Sequence, residues 1–268
     1  MMYRNAARRG LTLIELVVVL VVLAAVAGLL LPQLPNVLSD TRTTVGATNV
    51  KELSKALQTY NTTNFGYPEG FDALVAADGT IFPALPSNGD GVAGGDLDSF
   101  ETAGGTVETA QDALFEAGVV SLMENVGPGA NADWDATFKP YNLVVDGNGQ
   151  SVPVDPVPTA TFGDFIGLSA SGKSKLNLSA DADFVVLGVG NRCTVVGDGV
   201  LNAPVNFQSS RQVDGENPVY QRYAAVFQVT TDAGGTLEAA RLVGVIAIED
   251  DEILGVDDFL NTYYTQRN

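Results

Sequence analysis

The sequence predicts an α+β protein: a long N-terminal α-helix packed on an antiparallel β-sheet head with extra short helices. Three observations carry that prediction. Residues 11–31 form an apolar run interrupted only by Thr12, Glu15 and Gly28. Residues 36–60 turn amphipathic, with Val45, Leu53, Ala56, Leu57 and Tyr60 on one helical face. Beyond residue 140, short segments rich in Val, Ile and aromatic residues alternate with Gly, Asn and Asp, the pattern of strands joined by turns.

At about 1.5 Å per residue the apolar run reaches about 30 Å, the thickness of a bilayer's hydrocarbon core. Arg4, Arg8 and Arg9 precede it. Basic residues stay on the cytoplasmic side, so the chain after Pro32 is expected to face outward. Pro32 and Pro35 follow the run; proline removes a helix donor, so a kink or break is expected there. The amphipathic segment then lays its apolar face on the head. Residues 79–105 combine many glycines with several acids and read as an exposed loop. Residues 107–126 read as a helix stopped by Gly127 and Pro128, with Val107, Leu114, Val119 and Leu122 recurring among polar positions. Strands are expected at 141–145, 152–154, 183–189, 192–196, 222–230 and 237–248, with hairpin turns at 146–149 and 231–235. A short helix over 251–264 is expected to end the chain across the sheet.

Composition narrows the chemistry. A chain of 268 residues, 46% of them apolar, is long enough to bury a core. Its net charge is −18, and loss of the first ten residues, which hold Arg4, Arg8 and Arg9, makes it more negative still. Such a surface repels phosphate backbones, so no nucleic-acid partner is expected; cations or basic partners suit it better. There is no histidine, which rules out a Ser-His-Asp triad, a Cys-His pair and a His-ligated zinc site built from this chain. Among 32 acidic residues no spacing identifies the paired carboxylates of a glycoside hydrolase, and the chain is read as not an enzyme. Cys193 is the sole cysteine, so no intramolecular disulfide forms; beside Val195 and Val196 it reads as a buried small hydrophobe. No cofactor is required. Calcium is the one candidate, because oxygen donors clustered on a Gly-rich backbone suit a hard cation, with Asp90, Asp96, Asp98 and Glu101 as the ligands. Their spacing is not that of an EF-hand, and a solvated loop is the plainer account.

The start of the apolar run is the most specific feature. An ordinary secretory signal ends its apolar region in a small-residue cleavage site, whereas here the small Gly10 precedes the run. Arg8-Arg9-Gly10-Leu11-Thr12-Leu13-Ile14-Glu15-Leu16 closely resembles the class III signal of type IV prepilins and type II secretion pseudopilins. The resemblance implies that a prepilin peptidase cuts between Gly10 and Leu11 on the cytoplasmic side and that Leu11 is methylated at its new amine. Leucine stands there in place of the family's usual phenylalanine. Glu15 then acquires a purpose. A carboxylate inside a membrane span costs about 2–3 kcal/mol. The freed α-amino group of a neighbouring subunit, protonated at neutral pH because such amines ordinarily titrate at about pH 8, would pair with it. Such a pairing favours addition to an open helical array. The alternative is a plain signal-anchor helix whose Glu15 rests near the interface. Residues 57–75, through Tyr67, Pro68 and Leu74, resemble the pseudopilin passage where the long helix ends and a tyrosine-proline pair follows, although Gly-Tyr-Pro is also a common helix exit. Trp134 with Pro140 and Tyr141 is faintly similar to a further pseudopilin motif, with core aromatics as the simpler account.

The resemblance implies a leader at 1–10, a pilin helix at 11–60 with 11–31 transmembrane, and a globular head at 61–268. It implies a structural subunit of a type II secretion-like pseudopilus or a type IV pilus. Its partners would be the prepilin peptidase, other pilin or pseudopilin subunits and the inner-membrane assembly platform. The chain would sit in the bacterial inner membrane by a single-pass helix, with the head on the periplasmic or extracellular side, and enter a filament on assembly. The second reading is a membrane-displayed binding module or calcium-dependent adhesin that uses the leader for export. Exposed aromatic residues lining a groove of the head would favour it.

Overall fold

The computed structural model describes residues 13–30, 34–74, 95–100, 107–125, 138–145, 151–154, 165–206, 222–249 and 252–258. Helix α1 spans Leu13–Leu30 and α2 spans Leu34–Asn64. Pro32 lies outside the described residues. Pro35 falls in the first turn of α2, where its missing N–H has no helical partner to lose. It therefore starts this helix instead of interrupting it.

The buried stripe of α2 is Thr43, Gly46, Val50, Leu53 and Leu57, spaced three and four apart. Val45, expected on that stripe, is 43% exposed. At 100° per residue it lies about 80° around the helix from Leu53, whereas Gly46 lies about 20° away. Asn49 Nδ2 donates to the Tyr223 hydroxyl at 3.3 Å, a polar link between α2 and the sheet.

The described strands are β1 (Phe71–Ala73), β2 (Leu97–Ser99), β3 (Ser121–Asn125), β4 (Phe138–Val145), β5 (Ser151–Val154), β6 (Ile166–Leu168), β7 (Phe184–Gly188), β8 (Tyr223–Thr230), β9 (Thr236–Glu249) and β10 (Glu252–Leu254). They join in one sheet, in the order β10-β9-β8-β7-β1-β3-β4-β5, with β6 beside β7 and β2 beside β6. Among the described strands only β1 and β3 pair in parallel; the other pairings between these strands are antiparallel. Helix α3 (Val107–Glu116) packs on β8 and β9, and a short α4 (Ala170–Lys175) follows β6.

Both faces of the sheet are covered over β7, β8 and β9. Val185, Leu187, Tyr223, Ala225, Phe227, Val245 and Ala247 pack with Val50, Leu53 and Leu57 of α2 and Leu114 of α3. Their strand neighbours Phe184, Val186, Ala224, Val226, Ile246 and Ile248 form a second cluster with Leu97, Ile166 and Leu168. Burial of alternate residues on opposite faces is why β7 and β8 read as continuous apolar runs.

Four sequence expectations give way to tertiary geometry. Within the exposed loop expected over 79–105, residues 97–99 instead form β2, because pairing with β6 buries Leu97 completely. The helix expected over 107–126 stops at Glu116, because Gly118 turns the chain with φ 96° and lies against Gly66; a Cβ on Gly118 would stand 2.7 Å from Gly66 Cα. Residues 121–125 then form β3. The strand expected over 192–196 is a compact turn: Thr194 N donates to Glu69 O and Glu69 N donates to Thr194 Oγ1, so its polar groups serve the α2 exit and not the sheet. Residues 252–254, expected in a C-terminal helix, pair with β9, placing Ile253 opposite Ile248 with no exposed surface. Residues 256–258 are helical, and 259–264 lie outside the described residues. Val145 pairs with Ser151, so β4 and β5 are antiparallel around the expected turn, whose own residues 146–149 are outside that set.

The exit from α2 is held by Tyr67. Its N–H donates to Ala117 O at 2.8 Å, and its ring meets Phe227 edge-on, 5.2 Å between centroids. Opposite it, Val226 pairs with Gly244 and Phe227 with Leu242, so Val243 is the extra residue of a β-bulge. The Leu242 N–H donates to the Tyr67 hydroxyl at 3.1 Å. The side chain thus satisfies a ladder donor beside the bulge.

Candidate assembly helix and the acidic loop

The described length of α1 shows apolar side chains on every side. Leu13, Ile14, Leu16, Leu20, Val21 and Leu23 are each more than half exposed. A water-facing helix carries a polar face; one apolar all round needs a membrane or other chains to cover it. Glu15 is its only charged residue and lies in the first turn, where the helix dipole favours a carboxylate. Gly10 and Leu11, the expected cleavage and methylation positions, lie outside the described residues. Among the described residues no helix is long and apolar enough to cross a membrane. The described α1 has 18 residues and reaches about 27 Å, short of a core of about 30 Å. Leu11, Thr12 and Leu31, which complete the run, are not among them.

Of the four acids expected as calcium ligands, Asp90 and Glu101 lie outside the described residues. Asp98 is in β2, its backbone paired with Gly167. Asp96 is 5% exposed and engaged by three donors. Its Oδ1 accepts from Ser171 Oγ at 2.6 Å, and its Oδ2 accepts from Lys175 Nζ at 3.2 Å and from Ile253 N at 3.1 Å. The carbonyl of Asp96 also accepts from Ser169 N at 3.1 Å. One acid thereby ties the start of β2 to α4 and β10. Burial alone raises the Asp96 carboxyl, but the hydrogen bonds from Ser171, Ile253 and Lys175, with the lysine's charge, bring it below its ordinary value. Among the described residues no group of three or more His, Cys, Asp or Glu is placed to hold a metal ion.

Sequence reading missed Ser171, Lys175 and Ile253 as partners of Asp96. No local pattern signals them, since Lys175 stands 79 and Ile253 157 positions away. Cys193 is 1% exposed, as its apolar neighbours suggest. Burial pushes its thiol up to about 12, and the charges of Asp72 and Glu69 add to that. It is therefore a packing residue, poorly suited to nucleophilic chemistry.

Residues 5–31 match the family described as the prokaryotic N-terminal methylation motif. The chain carries a prepilin-type N-terminal methylation motif. The motif takes in Gly10, Leu11, Glu15 and the whole described length of α1. The chain is also similar to the type II secretion system core protein G of Pseudomonas aeruginosa, with 39% identity over 69 residues. That stretch is 25% of this chain and 49% of the relative, so the chain spans about half the length of the curated relative it matches. No solved structure matches it. Beyond the motif, the described fold is α+β, with an N-terminal helix and a sheet that is mainly antiparallel.

Proposed function

We propose that the chain is a structural, non-catalytic subunit of a type II secretion-like pseudopilus or a type IV pilus. The supporting observation is a coincidence in one segment: the methylation motif, a helix apolar on all sides and a single carboxylate at Glu15. In this reading residues 1–10 are a leader that the prepilin peptidase removes between Gly10 and Leu11, and Leu11 is methylated. Residues 11–60 are the pilin helix, with 11–31 in the bacterial inner membrane, and residues 61–268 are a head on the periplasmic or extracellular side. The apolar surface of α1 passes from lipid to the helices of other pilin or pseudopilin subunits, so it avoids water both before and after assembly. Glu15 meets the amine of a neighbour's Leu11 as the inner-membrane assembly platform adds each subunit. The pairing offsets the cost of placing either charge in an apolar surrounding.

The test is intact-mass and N-terminal analysis of membrane-derived protein from cells with and without the prepilin peptidase. The expected product begins at methylated Leu11 and disappears with the peptidase. A different mature N-terminus, or processing that survives loss of that enzyme, defeats the reading.

A further inference from the structure

Six residues of α2, Thr44, Thr48, Lys51, Lys55, Thr59 and Thr62, are exposed and lie within about 80° of one another around the helix. Their common direction is about 160° from the centre of the buried stripe, so this face points away from the sheet. Its threonines bond to their own helix. Thr48 Oγ1 donates to Thr44 O at 2.9 Å, Thr59 Oγ1 to Lys55 O at 2.8 Å and Thr62 Oγ1 to Thr59 O at 2.9 Å. The face can therefore be covered by another surface without stranding these hydroxyls. The two lysines are different. Neither forms an ion pair among the described residues. They stand four positions apart on one face, where like charges weaken a helix instead of supporting it.

Charge is divided unevenly along the chain. Residues 65–268 hold 29 acidic and 8 basic residues, a net −21, whereas α2 holds Asp40, Arg42, Lys51, Glu52 and Lys55, a net +1. With 32 acids against 14 bases the chain has carboxylates to spare, yet the fold aims Lys51 and Lys55 away from its own head. Heads of this charge repel one another once they come within a Debye length, about 8–10 Å. A side-by-side array of copies needs cationic surface where a head approaches its neighbour. Anionic lipid is the rival partner for the lysines, but the charge of the head opposes its approach to such a membrane.

We propose that this face of α2 docks the acidic head of a second copy of the chain, with Lys51 and Lys55 pairing with carboxylates of that copy's residues 65–268. The proposal rests on the filament reading, which supplies the second copy, and adds to it a contact outside α1 that salt weakens.

The test treats sheared filaments with a water-soluble carbodiimide, which joins a lysine amine to a carboxylate only where the two touch, and maps the dimer band by peptide mass analysis. The expected dimers carry Lys51 or Lys55 joined to an Asp or Glu of residues 65–268, a linkage absent from the monomer band. Their yield should fall at least threefold between about 50 mM and about 500 mM NaCl. The double variant Lys51→Gln, Lys55→Gln should lose at least fivefold in filament incorporation while its mature N-terminus stays at Leu11. Its melting temperature stays equal or rises, since a like-charge pair is gone, which separates lost docking from lost folding. Wild-type filaments whose dimers lack these linkages overturn the proposal and leave the filament reading standing, as does normal incorporation of the double variant. A wild type that forms no filaments overturns both. Release of the double variant from the membrane fraction, with wild-type dimers lacking the linkages, would assign the lysines to lipid and overturn the docking equally.

Discussion

Replacing Asp96 with alanine removes three hydrogen bonds at once, and the geometry sets the expected loss. Ile253 has no exposed surface, so its N–H is left without the Asp96 oxygen at 3.1 Å and without water. An unsatisfied buried donor costs about 1–3 kcal/mol. The Lys175 side chain is 22% exposed and recovers part of its hydration, so that ion pair adds about 1 kcal/mol or less. The Ser171 bond at 2.6 Å adds about 1 kcal/mol. The sum is about 3 kcal/mol, which for a domain of this size lowers the melting temperature by about 6–12 °C. Near-UV circular dichroism of the detergent-solubilised full chain follows the melt. The pH dependence supplies a second check. The native Asp96 carboxyl lies below its ordinary value, so its charge-linked stability is complete above the unfolded pKa of about 4 and is lost as pH falls through the native value. The gap between wild type and Asp96→Asn should therefore be constant above about pH 5 and narrow below about pH 4. A melting temperature unchanged by Asp96→Ala, or an Asn gap that stays constant down to about pH 2, would refute the reasoning.

Two further predictions follow from α1 and from the buried thiol. Glu15→Val removes the one charge of α1, so membrane insertion improves by up to about 2–3 kcal/mol while incorporation into filaments falls sharply and processing at Gly10 persists. Immunoblots of sheared filaments and of the membrane fraction measure both, and normal assembly by the variant would remove Glu15 from the mechanism. Cys193, with its thiol pushed up to about 12, holds on the order of one part in ten thousand as thiolate at about pH 8. It should react with a thiol-specific disulfide reagent only upon addition of denaturant, and prompt reaction in the native protein would contradict its burial.

How much of this was legible in the sequence depends on the distance over which each feature is encoded. Residues 11–31 carry their message locally, in an apolar run broken by Glu15, and the motif match over 5–31 reflects that. The α+β class, the β8–β9 hairpin and the burying face of α2 were also readable, because periodicity within one segment decides them. Val45 falls outside the buried stripe because about 80° of helical rotation separates it from Leu53 at the centre. Composition makes residues 192–196 a strand, since Val195 and Val196 fit one, while the deciding bonds run from Thr194 to Glu69, 125 positions earlier.

The acidic loop makes the same point about function. From composition, Asp96 is one of several oxygen donors on a Gly-rich backbone, and calcium is a sensible candidate. What assigns it to holding β2, α4 and β10 together is the convergence of Ser171, Lys175 and Ile253, none of which is near it in sequence. A buried carboxylate already accepting from three donors gains little by exchanging them for a cation, since each exchange would strand an ammonium or a buried N–H. The reverse holds at Phe65. There the sequence offers an ordinary aromatic at a helix exit, and only its 96% exposure together with a φ of 57° separates it from the buried aromatics Phe71 and Phe227 nearby in the fold. An aromatic that buries nothing and sits on backbone better suited to glycine gains nothing from folding at that position.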